Sequence, residues 1–343
     1  MSTQMLDVSP VHIFETINAY QRSAALKGAI DLELFTAVAE GSQTASALAD
    51  KCKAQERGVR ILCDYLVING FLTKKGNEYN LTPESAVFLD KRSPGYMGSV
   101  TEFMLSPMLT EGFKDIAAVV RKGGTVIPDD GTISPENPIW VDFARSMMPM
   151  MYMPAQLLAK LVGDNVPLPP NRKLKVLDIA AGHGVFGIAL AQSNPNVEVT
   201  ALDWGSVLEV AEENAQRMGV ADRYRLLKGS AFDVEYGSDY DIILLTNFLH
   251  HFDPDTCENL LRKVYAALAE KGCAVTVDFI PNEDRVTPPA TAAFSLMMLG
   301  TTPKGDAYTF SELQRMFTNA GFTRNEMHEL PPTPNQAVVS YNY

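Results

Sequence analysis

The sequence predicts a two-part α/β protein. A helical N-terminal domain with a small β-wing precedes a mostly parallel sheet with helices on both faces. Three observations predict this. From Leu174 onward, short apolar strands alternate with helices of about ten residues, the pattern of βαβ units. Before residue 100, apolar residues recur at helical spacing and give way to one strand-turn-strand pair. Between the two, residues 164–173 hold Pro167, Pro169 and Pro170 and read as an interdomain linker. A chain of 343 residues has room for two domains, at roughly 150 residues each.

Residues 10–40 read as helix, with Phe14, Ile17, Tyr20, Ala24, Ala25 and Leu26 on an apolar face and Ile30, Leu32, Leu34 and Phe35 continuing it. Thr44 is an N-cap for the short helix beginning at Ala45. Arg57–Asn69 is a stronger helix, because Val59, Leu62, Cys63, Leu66 and Val67 share one side, and Gly70 stops it. Phe71–Thr73 and Tyr79–Leu81 flank Gly76-Asn77 as a hairpin. Three helices and such a wing form a winged helix. Thr82-Pro83 opens another helix. Residues 1–100 form this domain. Residues 101–165 form a helical linker, interrupted by a loop over 123–138 rich in Gly, Pro and Asp.

Residues 166–343 form the sheet domain. Strands are predicted at 175–180, 197–202, 224–228, 240–246, 273–279 and 337–341. Helices are predicted at 185–192, 207–218, 256–268 and 310–320, the second closed by Gly219 and the last by Gly321.

The net charge is −12, from 29 basic and 41 acidic residues. Such a chain repels nucleic-acid phosphates and anionic membranes. Residues 1–100 carry 10 basic and 11 acidic side chains, so the winged helix lacks the positive face that DNA demands. Dimerisation is the better reading of that domain. The cysteines at 52, 63, 257 and 273 form no CxxC pair, which leaves zinc ribbons and redox dithiols unsupported. No basic, apolar leader and no run of ~18 apolar residues is found. A cytoplasmic setting is expected.

The segment Asp178-Ile179-Ala180-Ala181-Gly182-His183-Gly184-Val185-Phe186-Gly187 follows a strand and opens a helix. It contains GxGxxG, whose glycines let a ligand approach the backbone at a helix N-terminus. Two ligands compete. A dinucleotide wants its pyrophosphate there and an acid ~20 residues on, which Asp203 supplies. Asp178, however, would repel a pyrophosphate. A cationic ligand without phosphate, such as S-adenosylmethionine, turns both acids to advantage.

The run Asp178–Gly187 resembles the first motif of class I S-adenosylmethionine-dependent methyltransferases. With the winged helix and helical linker, nearly the whole chain resembles the small-molecule O-methyltransferase family, whose N-terminal domain forms an intertwined homodimer. The resemblance implies a Rossmann-like methyltransferase domain behind an all-α, winged-helix dimerisation domain. It places Asp178 by the amino-acid end of the cofactor, Gly182 and Gly184 around it, Asp203 on the ribose hydroxyls and Trp204 against the adenine. Gly229-Ser230-Ala231-Phe232 resembles the third cofactor motif, with Ser230 where an Asp is usual. Asn247 completes the implied cofactor set.

Leu249-His250-His251-Phe252-Asp253 resembles the family's His-Asp-Trp-Ser-Asp segment, which makes His250 the implied general base. Histidine suits the task because it titrates near neutrality. Asp278 falls where the family places an acid that orients the base. The second acid is missing at Ala307-Tyr308-Thr309, with Asp306 nearby. His251 reads as a packing residue. No spacing among the histidines supports a metal site.

Phe143, Arg145, Met147 and Met151, with Met297 and Met298 on another helix, are expected around the acceptor, since thioethers fit irregular apolar ligands. Arg145 is suited to an acceptor carboxylate or to a surface salt bridge. The expected activity is methyl transfer to a small-molecule hydroxyl. S- or C-methylation, a non-catalytic winged-helix regulator and an NAD-dependent oxidoreductase are the rivals.

Overall fold

The structure, a computed structural model, describes residues 8–169 and 172–343. Pro170 of the predicted linker lies outside the described residues. The chain divides into two compact units between Thr101 and Glu102.

In the first unit, helices Leu34–Ala39, Ala45–Cys52 and Glu56–Ile68 carry a hairpin of β1 (Leu72–Lys75) and β2 (Glu78–Leu81). Thr44 caps its helix by accepting from the Ala47 N–H, and Thr82 does the same for Ser85. Leu34, Phe35, Leu48, Val59, Cys63, Leu66, Leu72 and Tyr79 are buried together. The helix expected over residues 10–40 is divided, and the start of its apolar face is uncovered. The stretch breaks into Val11–Ile17 and Ala19–Asp31, and Phe14, Ile17 and Tyr20 are all exposed. Among the described residues, the helix Val11–Ile17 buries no side chain.

The second unit holds a seven-stranded sheet. Its strands are β3 (Leu174–Ile179), β4 (Val197–Asp203), β5 (Tyr224–Lys228), β6 (Tyr240–Thr246), β7 (Leu268–Asp278), β8 (Arg324–Glu329) and β9 (Gln336–Tyr341). Their order is β5-β4-β3-β6-β7-β9-β8. The first five run parallel, and β9 returns antiparallel to β7 and β8. All seven residues of β6 are buried, as a central parallel strand requires. β8 is absent from the sequence expectations. Its run Arg-Asn-Glu-Met-His-Glu is an edge strand without a buried residue, so no apolar alternation announces it.

The strand order reverses between β3 and β6, opening a crevice at their carboxyl ends. Asp178, Asp203, Asn247 and Asp278 all lie at carboxyl ends of β3, β4, β6 and β7. Among the described residues, no helix is long and apolar enough to cross a membrane.

Candidate active site

Asp178 is wholly buried near the end of β3. Its Oδ2 accepts the Gly187 N–H at 3.1 Å, while Oδ1 has no hydrogen-bond partner among the described residues. A Cβ at Gly187 would stand 2.8 Å from Oδ2, so the third glycine lets the helix close on the acid. Gly182 and Gly184 take φ of +56° and +74°, the left-handed region that favours glycine. A Cβ at Gly184 would also meet the Tyr224 hydroxyl at 2.5 Å. Asp203, ending β4, accepts the Gly182 N–H at 2.8 Å and the Trp204 N–H at 2.7 Å.

Burial raises both carboxyls, that of Asp178 to about 8 and that of Asp203 to about 6. Backbone donors pull each back only in part. Asn247 has φ +52°, and its Oδ1 is another buried acceptor with no partner among the described residues. Two desolvated acids and spare acceptors beside a glycine loop fit a positively charged ligand. They do not fit a pyrophosphate.

The other expected cofactor residues lie on neighbouring segments. Trp204 packs with Trp140 and Val141 against Ala144, Val207 and Val210. Ser230 Oγ accepts the Phe232 N–H at 3.1 Å. Lys263 donates to the carbonyls of Ala231 (3.2 Å) and Phe232 (3.0 Å), and the Tyr236 hydroxyl also bonds the Ala231 carbonyl. The loop is thereby fixed by two side chains that sequence reading missed, because single contacts 5 and 32 residues apart leave no periodic signal.

His250 and Asp278 meet at 2.7 Å between Nδ1 and Oδ1, both 4% exposed. The Phe279 N–H donates to the same Oδ1 at 2.8 Å and fixes the carboxylate. Asp278 thus reaches the histidine. The Asp306 carboxylate pairs with Arg285 at 3.2 Å, while its N–H donates to the His250 carbonyl at 3.0 Å. Gly305 lies so close to that carbonyl that a Cβ would collide with it.

His251 stands edge-on to His250, with ring centres 4.3 Å apart, and to Trp140 at 5.1 Å. Burial, then the charge of His250, holds it neutral, its pKa well below the ordinary value. Phe294 stands edge-on to His250 at 4.8 Å. Trp140 and Phe294 are further residues that sequence reading missed.

Met147, Met151 and Met298 are buried, and Phe143 and Met297 are half-buried. Met151 meets Asn247 through its sulfur, 3.6 Å from the amide nitrogen. Arg145 takes the plainer of its two readings, an exposed salt bridge to Glu213 at 3.3 Å. No group of three or more His, Cys, Asp or Glu among the described residues could hold a metal ion.

Fold and site together define a Rossmann-like, S-adenosylmethionine-dependent methyltransferase. The sequence pattern described as the O-methyltransferase domain matches residues 143–323, and that of the O-methyltransferase dimerisation domain matches residues 14–91. The chain belongs to the O-methyltransferase family and is an S-adenosylmethionine-dependent O-methyltransferase. It is 57% identical to a provisionally assigned O-methyltransferase from Nostoc punctiforme PCC 73102, with 97% of this chain and 99% of that chain covered and a TM-score of 0.93. It is 25% identical, over 92% of this chain and 91% of the relative, to the tetracenomycin polyketide synthesis 8-O-methyl transferase TcmO of Streptomyces glaucescens. Human N-acetylserotonin methyltransferase, solved in complex with S-adenosylmethionine, shares the fold at 20% identity, with 99% of each chain covered and a TM-score of 0.83.

Proposed function

We propose that the enzyme methylates a hydroxyl on a small aromatic molecule, and that His250 takes the hydroxyl proton. The observation that carries this reading is the buried 2.7 Å contact between His250 Nδ1 and Asp278 Oδ1. A carboxylate on Nδ1 keeps the hydrogen of the neutral ring there, leaving Nε2 as the acceptor. As Nε2 takes the acceptor's proton, the imidazolium forms beside the buried Asp278, which stabilises it.

The bound cofactor supplies an electrophilic methyl group. Asp178 and Asn247 would hold its amino-acid end and Asp203 its ribose. Trp204 and Ser230–Phe232 would hold its adenine. Methyl transfer is an in-line displacement, so fixing both partners contributes much of the acceleration. Trp140, Phe143 and Phe294, with Met147, Met151, Met297 and Met298, offer apolar surface for a flat acceptor. The engagement of Arg145 by Glu213 favours a neutral acceptor over a carboxylate. Relatives named as a polyketide 8-O-methyl transferase and a 3-hydroxy-5-methyl-1-naphthoate 3-O-methyltransferase from Streptomyces sahachiroi support an aromatic hydroxyl.

The exposed apolar residues Val11, Phe14 and Ile17, together with the dimerisation match, support a homodimer through the N-terminal domain. The acidic balance argues against nucleic acid and anionic membranes as partners, and the free thiols of Cys52, Cys63, Cys257 and Cys273 suit a reducing, cytoplasmic setting. The test is His250→Ala with a methylated phenol as readout. A loss of about 10²-fold or more in kcat is expected, with cofactor affinity unchanged. Full turnover at neutral pH would remove His250 from the chemistry.

A further inference from the structure

One side chain of the glycine loop has no part in the reaction above. His183 stands between Gly182 and Gly184 and is 2% exposed. Its Nδ1 accepts the Val185 N–H at 3.3 Å. Nδ1 therefore carries no hydrogen, and the neutral ring holds its one hydrogen on Nε2. Nε2 is buried and has no partner among the described residues. The ring is fixed from two sides. Phe143 stacks on it, with centres 5.6 Å apart and planes at 22°, and Phe186 leans on it at 6.2 Å. Burial lowers its pKa to about 4, so Nε2 remains a neutral N–H donor across the neutral range. An unpaired buried donor is destabilising until something accepts from it.

The charge of the ligand says what that acceptor is. The amino-acid end of S-adenosylmethionine carries an ammonium and a carboxylate. Asp178 suits the ammonium and repels the carboxylate, and Asp203, on the ribose, adds no attraction for an anion. Residues 176–187 contain no Lys or Arg to offset that repulsion. We propose that His183 donates its Nε2 hydrogen to the cofactor's carboxylate and so selects for an intact amino-acid end. This rests on reading Asp178–Gly187 as the cofactor loop. It adds a neutral donor, fixed by stacking, that the acids of the loop cannot replace.

The test is calorimetric titration of the full-length enzyme with S-adenosylmethionine and with decarboxylated S-adenosylmethionine. The wild type should prefer the intact cofactor by about 10- to 100-fold, as for a hydrogen bond to a charged group. His183→Phe keeps a ring against Phe143 but has no donor, and should bind the two ligands nearly alike. His183→Gln offers an amide donor and should restore part of the preference. Equal weakening of both ligands by His183→Phe would reduce His183 to a packing residue and overturn the proposal. A wild type that does not distinguish the two ligands would also overturn it. A wild type that binds neither would instead bring down the reading of the loop.

Should His183→Phe fail to fold, imidazole NMR of the wild type decides the question. The His183 Nε2 proton should shift with S-adenosylhomocysteine and not with 5′-methylthioadenosine, which lacks the amino-acid end. Identical shifts with both would refute a carboxylate contact.

Discussion

Asp178→Asn should make the ligand-free enzyme more stable and a poorer binder of its cofactor, by amounts that depend on pH. The side chain is wholly buried, and its carboxyl is raised from 3.8 to about 8 by burial. A folded-state pKa above the unfolded one means that the native chain holds the extra proton. The stabilising effect is then complete below pH ~4 and is lost as pH rises toward 8. The slope is about 1.4 kcal/mol per pH unit, or about 3 kcal/mol between pH 6 and pH 8. Asparagine lacks this titration, and its amide oxygen can still accept from Gly187, which now donates at 3.1 Å. At roughly 2–4 °C per kcal/mol for a unit of about 150–250 residues, the Tm advantage of the variant should grow by roughly 6–12 °C from pH 6 to pH 8. Calorimetric melting of both proteins, stripped of ligand, measures it. Saturating S-adenosylmethionine should shrink the advantage, because the cation stabilises the ionised wild-type carboxylate. Parallel Tm curves across this pH range would refute the assignment of Asp178 as an uncompensated buried acid.

Other consequences follow from the same geometry. Asp278→Asn should lower kcat by about 10²-fold or more while leaving cofactor affinity intact, because it weakens only the partner on His250 Nδ1; titration and steady-state kinetics separate the two. Gly305→Ala places a Cβ against the His250 carbonyl and should lower kcat more than it changes KM. Replacing Phe14 and Ile17 together by Asp puts charge on the exposed apolar face of the first helix, and should turn a dimer into monomers in sedimentation.

The parallel domain was legible because its strands are apolar runs bounded by turns, and its glycine loop sits where a strand meets a helix. The acids were legible for the same reason, since Asp178 and Asp203 end strands that the pattern already located. Other features depend on contacts that only the fold makes. The carbonyls of Gly300, Thr301 and Thr302 accept from Thr125 and Thr132, about 170 residues away, and no local pattern records such a pairing. The edge strand Arg324–Glu329 was missed because neither of its faces is buried. Phe14 and Ile17 were legible as part of an apolar face, but periodicity does not say what covers such a face, and both are exposed in the single chain. His183 stood in plain view within the loop. Its unpaired donor became visible only when Val185 fixed the tautomer and Phe143 fixed the ring.

The central claim is methyl transfer to a hydroxyl oxygen with proton removal by His250. Its most direct measurement is a reaction of the wild type and His250→Ala with methyl-labelled S-adenosylmethionine and a panel of phenols, thiols and thioether acids, the label located by mass spectrometry and NMR. The account predicts label on a phenolic oxygen, formed about 10²-fold or more faster by the wild type. Label on carbon or sulfur, or equal rates from the two proteins, would contradict it.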